Sequence, residues 1–414
     1  MTSAEATRRE TTGALPRDQA ATARLRRDSA WRPMEIIFWL LTILAYFLLP
    51  SQLTLIAQVA IMGLFAISLD LIMGYAGIIS LGHAAFFGIG AYTAGILAQR
   101  GWGEPLSGLL LAGAVAGLFG FATSFLVLRG SDLTRLMVTL GVSLMLYEAA
   151  NEMRWLTGGA DGLQGVTVWP IFGLWSFDLY GRTAYNYSTA VLFLCFLVLR
   201  RIVHSPFGLT LRGIRENGGR MPALGTPVAR RLVTVYTVAA IFAGIAGALL
   251  TETTQFASLD VLSFDRSADA LLIVLLGGAG TLYGGLIGAI VFMSAQAWLS
   301  MITPQYWQFW IGIAFIVLVL FARGGILGLA QALITLMVAP GSYQLSVSGN
   351  RPAGVPASVV PGSVTFRANL TLSESRQQDL TLPLHTLTVR TLGPSGTPIT
   401  GFGYQSSRSA FRSE

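Results

Sequence analysis

Three consecutive pieces decide how this chain is read: YSTAVLFLCFLVLRRIV (187–203), SPFGLTLRGIRENGGRMPALG (205–225) and LVTVYTVAAIFAGIAGALL (232–250). The flanking pieces are strongly apolar and approach or reach the roughly 20 helical residues that a bilayer core requires. The middle piece is a short polar segment of helical character. Arg200, Arg201, Arg212, Arg215, Arg220, Arg230 and Arg231 crowd into this connection, and such a concentration of basic residues between two spans marks a cytoplasmic loop. Taken alone, it is a solvated linker that sets topology.

Composition widens that reading to the whole chain. Of 414 residues, 53% are hydrophobic and only 11% charged, against roughly a quarter charged in soluble proteins. The mean hydropathy is +0.63. The class is an all-α polytopic membrane protein. A net charge of +7 does not point to nucleic acid, because the arginines flank apolar spans instead of gathering on one amphipathic face. The single cysteine, Cys195, lies inside an apolar run, so no intramolecular disulfide forms. Residues 1–35 are basic, with Arg8, Arg9, Arg17, Arg24, Arg26, Arg27 and Arg32. No apolar core with a small-residue cleavage site follows closely enough for a signal peptide, so the first span reads as a retained anchor.

About ten membrane segments are expected, in two pseudo-repeated halves: 36–49, 52–72, 83–98, 107–128, 134–150, 187–203, 232–250, 267–280, 283–300 and 306–322. The stretch 74–82 and the eighth segment are glycine-rich candidates for broken or re-entrant helices. From a cytoplasmic N-terminus, the inner connections receive the N-terminal arginines, Arg129, Arg135, the seven of the 200–231 connection and Arg323. The outer ones receive only Arg100, Arg154, Arg182 and Arg266. That asymmetry satisfies the positive-inside rule, and an even number of crossings returns the C-terminus to the cytoplasm. After Ala330 the chain turns polar, with alternating runs at 363–373 and 380–391; residues 330–414 read as a cytoplasmic tail, strand-prone or disordered.

Two glycine blocks stand out. Residues 74–90 read GYAGIISLGHAAFFGIG and 277–288 read GGAGTLYGGLIG. Small residues at such spacing let membrane helices approach closely, and paired glycine-interrupted segments in two halves also point to a translocation pathway. The candidate pathway or packing residues are Gly74, Gly77, Ser80, Gly82, His83, Gly277, Gly278, Gly280, Thr281 and Gly284. His83 lies near an interface, where a structural hydrogen bond is the favoured role. Glu148 is the clearest acidic residue within a predicted span, close to the outer end, and the lack of a clear acid near the midplane argues against proton coupling. The chain contains no lysine, so it holds no phosphate-binding loop of the G-x-x-x-x-G-K-[ST] kind. There is no catalytic triad pattern, no H-E-x-x-H and no expected cofactor; enzyme function is not indicated.

Five pieces carry a family resemblance: GYAGIISLGHAAFFGIGAYTAG (74–95), TGGADGLQGV (157–166), SPFGLTLRGIREN (205–217), LGGAGTLYGGLIGA (276–289) and LFARGGILGL (320–329). In this order, across about residues 36–329, the chain resembles the LivM-type permease subunits of ABC importers for branched-chain amino acids and related compounds. The resemblance implies a bacterial inner-membrane subunit partnered by a second, LivH-like permease, two ATP-binding subunits and an outer substrate-binding protein. Residues 205–225 would be the coupling segment. Arg215, Glu216 and Asn217 would supply polar contacts to an ATPase groove, with Leu211, Ile214 and Leu224 as apolar anchors and Gly225 closing the segment. Gly218, Gly219 and Pro222 depart from the helix-favouring residues usual there, which shortens or kinks the helix. Relatives move leucine, isoleucine and valine, others urea, amides or aromatic acids. The alternative class is a standalone channel or secondary carrier.

Both termini are predicted to be cytoplasmic. Single cysteines replacing Ser3 or Ser413 in a Cys195→Ser background should stay unlabelled by a membrane-impermeant thiol reagent in intact cells; rapid labelling of either reverses the topology.

Overall fold

The computed structural model describes residues 33–178, 180–321 and 324–329, and the strands 342–350, 363–371 and 388–392. Two compact units emerge, Met1–Ala330 and Gln331–Glu414. The described residues of the first unit are organised by helices. These are α1 (Pro33–Leu48), α2 (Leu53–Asp70), α3 (Ala84–Gln99), α4 (Pro105–Val127), α5 (Asp132–Glu152), α6 (Arg182–Val203), α7 (Pro206–Asn217), α8 (Val228–Thr254), α9 (Phe264–Gly277), α10 (Leu282–Ile302) and α11 (Trp307–Phe321). Local sequence sets several boundaries. Glu104 caps α4 by accepting from the Ser107 amide at 2.7 Å, with Pro105 in the first turn where its missing N–H is harmless. Ser205 and Pro206 start α7 in the same way.

Each of the ten apolar stretches coincides with a helix. Six helices are long and apolar enough to cross a membrane: Pro50–Tyr75, α4, α5, α6, α8 and α10. α1, α3 and α11 are apolar but shorter, and α9 carries Asp265, Arg266 and Asp269. Pro50–Tyr75 and α8 form the interior, with 78% and 67% of their most apolar windows buried, whereas α5 buries 17%. An apolar helix exposed to that degree faces lipid or another membrane subunit.

The inner helices touch backbone to backbone. A Cβ built on Gly90 of α3 would lie 2.5 Å from the Cα of Gly244 in α8, and one on Gly247 would lie 2.9 Å from the Ala91 amide nitrogen. In hydrocarbon, where apolar side chains gain nothing by leaving lipid, this close van der Waals fit is what holds helices together. Between α1 and α6, Arg200 and Glu35 form an ion pair at 2.9 Å.

The second unit holds an antiparallel three-stranded sheet of order β2-β1-β3: β1 (Ser342–Asn350), β2 (Ser363–Thr371) and β3 (Thr388–Leu392). β2 and β3 overlap the two alternating runs of the sequence. β1 was not singled out there, and residues 380–387 lie outside the described residues. The chain is therefore not purely helical; among the described residues the strands are confined to this unit.

Gly247→Ala should destabilise the purified protein by about 1–3 kcal/mol, the usual penalty of overpacking. Gly141→Ala, where a Cβ meets nothing within 4 Å, should be neutral or stabilising; thermal unfolding in detergent measures both.

Candidate functional site

At its C-terminal end α2 does not stop cleanly. It widens into a π-helical turn, Leu71–Tyr75, and residues 76–83 then run without regular helix to α3. The second glycine block makes the turn from α9 to α10, with Gly278 at φ 110° and Gly280 at φ 85°, conformations that L side chains adopt only under strain. Thr281 closes this turn by donating its hydroxyl to the Gly278 carbonyl at 2.8 Å.

These two turns meet. The Asp70 carboxylate accepts a hydrogen bond from the Gly280 amide at 2.7 Å, and a Cβ on Gly74 would come within 2.7 Å of the Gly280 Cα. Glycine is required on both sides of the contact because backbone is the neighbour on both sides.

α7 lies across this junction. The Arg215 guanidinium donates to the Gly74 carbonyl, its stem passes over Gly77, and its charge acts on the Asp70 carboxylate. Arg212 stacks over the Tyr75 ring at 5.3 Å, and Arg231 of α8 over Phe207 at 5.4 Å. A cavity of about 330 Å³ opens beside Arg215, lined in part by Gly77, Asp132, Arg135 and Gly218.

The same helix gives its apolar stripe to its own subunit. Leu211 is fully buried and Ile214 nearly so, in the core cluster of the chain. Their expected place in a partner's groove is corrected on this ground: spaced three apart on one face, they anchor α7 to the spans. Glu216, Asn217 and Leu224 are exposed, as a contact with another subunit would require. α7 ends at Asn217 with Gly218 as its cap, and a 3-10 turn, Pro222–Leu224, follows, closed by Gly225 at φ 77°.

The other candidates spread out. Gly277 packs on Gly284, next to the junction. Gly82 abuts the Thr139 backbone of α5. His83 is wholly buried, stacked on Phe65, with Nε2 2.9 Å from the Ser68 hydroxyl and Nδ1 without a hydrogen-bond partner. Ser80 is buried with its hydroxyl also unpartnered.

Sequence inspection missed two acids. Asp70 is fully buried, and Glu252 is 3% exposed and accepts the Tyr187 hydroxyl at 2.7 Å, whereas Glu148 is exposed. Both stand near helix ends, Asp70 as the last residue of α2 and Glu252 two residues before the end of α8, and not near the middle of a span. Asp70 had a visible signal, a lone charge ending the apolar run 53–69. Glu252 stood two residues beyond the expected segment end, and α8 continues past it.

The family model described as branched-chain amino acid transport system / permease component matches residues 51–322. LivM, the high-affinity branched-chain amino acid transport system permease protein, is 28% identical over 254 residues in both Salmonella typhimurium and Escherichia coli. These alignments cover 56% of this chain and 60% of each relative. The chain thus spans about three fifths of the LivM relatives it matches. The L-arabinose ABC transporter permease protein AraH of Azospirillum brasilense is 27% identical over 289 residues, covering 67% of this chain and 76% of that protein. No solved structure matches.

Asp70→Ala leaves the Gly280 amide without its acceptor and should cost about 1–3 kcal/mol. Asp70→Asn keeps an acceptor oxygen and should retain most of that stability. Thermal unfolding of the two variants separates them, and equal midpoints would remove the hydrogen bond from the account.

Proposed function

We propose that this chain, which belongs to the branched-chain amino acid transport permease family, is one membrane-spanning subunit of an ABC importer for branched-chain amino acids or related small polar compounds. A LivH-like permease, two ATP-binding subunits and an outer binding protein complete the assembly, in the inner membrane of a bacterium. The pathway is built from ten crossings in two halves, with both termini and the 331–414 unit cytoplasmic. The arginine distribution supports that orientation.

One observation carries the reading: α7 is fastened to both glycine turns at once. Leu211 and Ile214 seat it in the core, and Arg215 holds the Gly74 carbonyl directly over Gly280. A push on the exposed face of α7 is therefore delivered to the ends of α2, α9 and α10 as rigid-body motion. Glu216, Asn217 and Leu224 are the residues left to receive that push from an ATPase.

A proton-coupled carrier is the second reading, and the buried pair Glu252 and Tyr187 favours it, since intramembrane acids mark proton paths in such proteins. Asp70 is engaged structurally by Gly280 and adds less. Purification decides between the two: an ATPase that co-purifies with the chain supports the importer, and substrate flux by the chain alone in liposomes under a pH gradient supports the carrier.

Glu216→Ala should leave folding, membrane level and subunit association intact, because an exposed charge contributes under about 1 kcal/mol. Uptake and substrate-stimulated ATP hydrolysis in the reconstituted complex should both fall sharply. Normal values of both would reject the coupling role.

A further inference from the structure

The connection from α8 to α9 is not a surface loop. The Leu163 amide donates to the Ala257 carbonyl at 2.7 Å, Leu262 presses on Gly88 of α3, and the Ala84 amide at the start of α3 donates to Ser267 at 2.9 Å. Ala257, Leu259, Val261 and Leu262 are buried. The chain thus descends along the full length of α3 before α9 is under way. Irregular backbone at such depth persists where protein covers it or where it lines a water-filled cavity.

Arg266 follows from this descent. From sequence it falls in an outer connection, yet its guanidinium approaches the Met62 sulfur at 4.0 Å, and Met62 stands at the middle of the continuous helix Pro50–Tyr75. Arg266 also pairs with Asp260, whose side chain is 56% exposed. It borders a cavity of about 360 Å³ that Gln58, Gln296 and Ser300 line with polar groups, and Met62, Met293 and Leu250 with apolar ones. A cleft of this size lined by both polar and apolar groups suits a small molecule, and a charge at mid-span marks a substrate path.

We propose that this cavity is a substrate subsite within the permease and that it takes an α-amino acid as its zwitterion. The inference rests on the importer reading for the substrate class. Arg266 receives the carboxylate, for which its planar fork is suited, and Asp260, which pairs with Arg266 outside the cavity's own lining, receives the ammonium. The resident ion pair makes the zwitterion the fitting ligand. Opening the pair to a molecule carrying both charges leaves each group matched, whereas a lone anion leaves Asp260 to solvent and a lone cation leaves Arg266, the less exposed partner, unmatched. Gln58 and Gln296 add neutral hydrogen-bonding groups, and the two methionines with Leu250 cover an aliphatic side chain.

Cysteine protection tests the site without the ATPase or the binding protein. The full chain, carrying Cys195→Ser with Gln58→Cys or, should that variant fold poorly, Ser300→Cys, is reconstituted in liposomes and reacted with a small thiol reagent. L-leucine at about ten times its dissociation constant should slow labelling roughly tenfold, the mass-action factor. Leucinamide, which lacks the carboxylate, and 4-methylpentanoate, which lacks the ammonium, should protect far less. Arg266→Gln should abolish protection by leucine. A purely structural Arg266–Asp260 pair produces no such ligand selectivity. Unchanged labelling at both cysteine positions with leucine present overturns the subsite even where uptake is ATP-driven; equal protection by leucine and leucinamide overturns the zwitterion assignment. Uptake that proceeds without any ATPase defeats the importer reading alone and leaves the protection result standing.

Discussion

The contact of Gly74 with Gly280 is the constraint from which the rest of this end of the helices follows. Two turns can touch through their backbones only if neither carries a side chain at the point of contact. Once they touch, the Gly280 amide is removed from solvent and needs an acceptor. Asp70 supplies it from the last turn of α2, and Arg215 compensates on the other side by binding the Gly74 carbonyl. A buried carboxylate, a strained turn and a cation on α7 are thus one arrangement.

That arrangement explains why α7 is amphipathic in the way it is. Leu211 and Ile214 give it a seat in its own subunit, while Glu216 and Asn217 remain outside. In the coupling role proposed for it, such a helix needs a firm joint on the driven side and a specific polar surface on the driving side. Gly218 caps the helix after Asn217, so the segment is short.

Packing elsewhere follows the economics of hydrocarbon. The α3, α4 and α8 group is stitched by glycine and alanine, as where Gly244 meets Ala116 and Ala112, because close fit is the attraction available there. Polar groups are admitted sparingly and in pairs: Glu35 with Arg200, Glu252 with Tyr187, Asp260 with Arg266. The last differs in having an exposed carboxylate and an arginine that lines a cavity.

The sequence by itself determined the membrane class, the ten apolar stretches that become helices, the helical segment between α6 and α8 and the two glycine blocks. These are legible because hydropathy and glycine spacing act locally, through transfer energy and backbone sterics. Tertiary structure alone decided what the blocks do, since Gly74 and Gly280 are separated by some two hundred residues and nothing local says that they meet. It also decided the inward turn of Leu211 and Ile214, because a short amphipathic helix offers the same stripe to a partner or to its own core. Arg266 is the clearest case. Charge near a segment end reads as an outer loop, and only the descent of residues 255–263 along α3 carries that arginine to mid-span, where the low dielectric makes its surroundings matter.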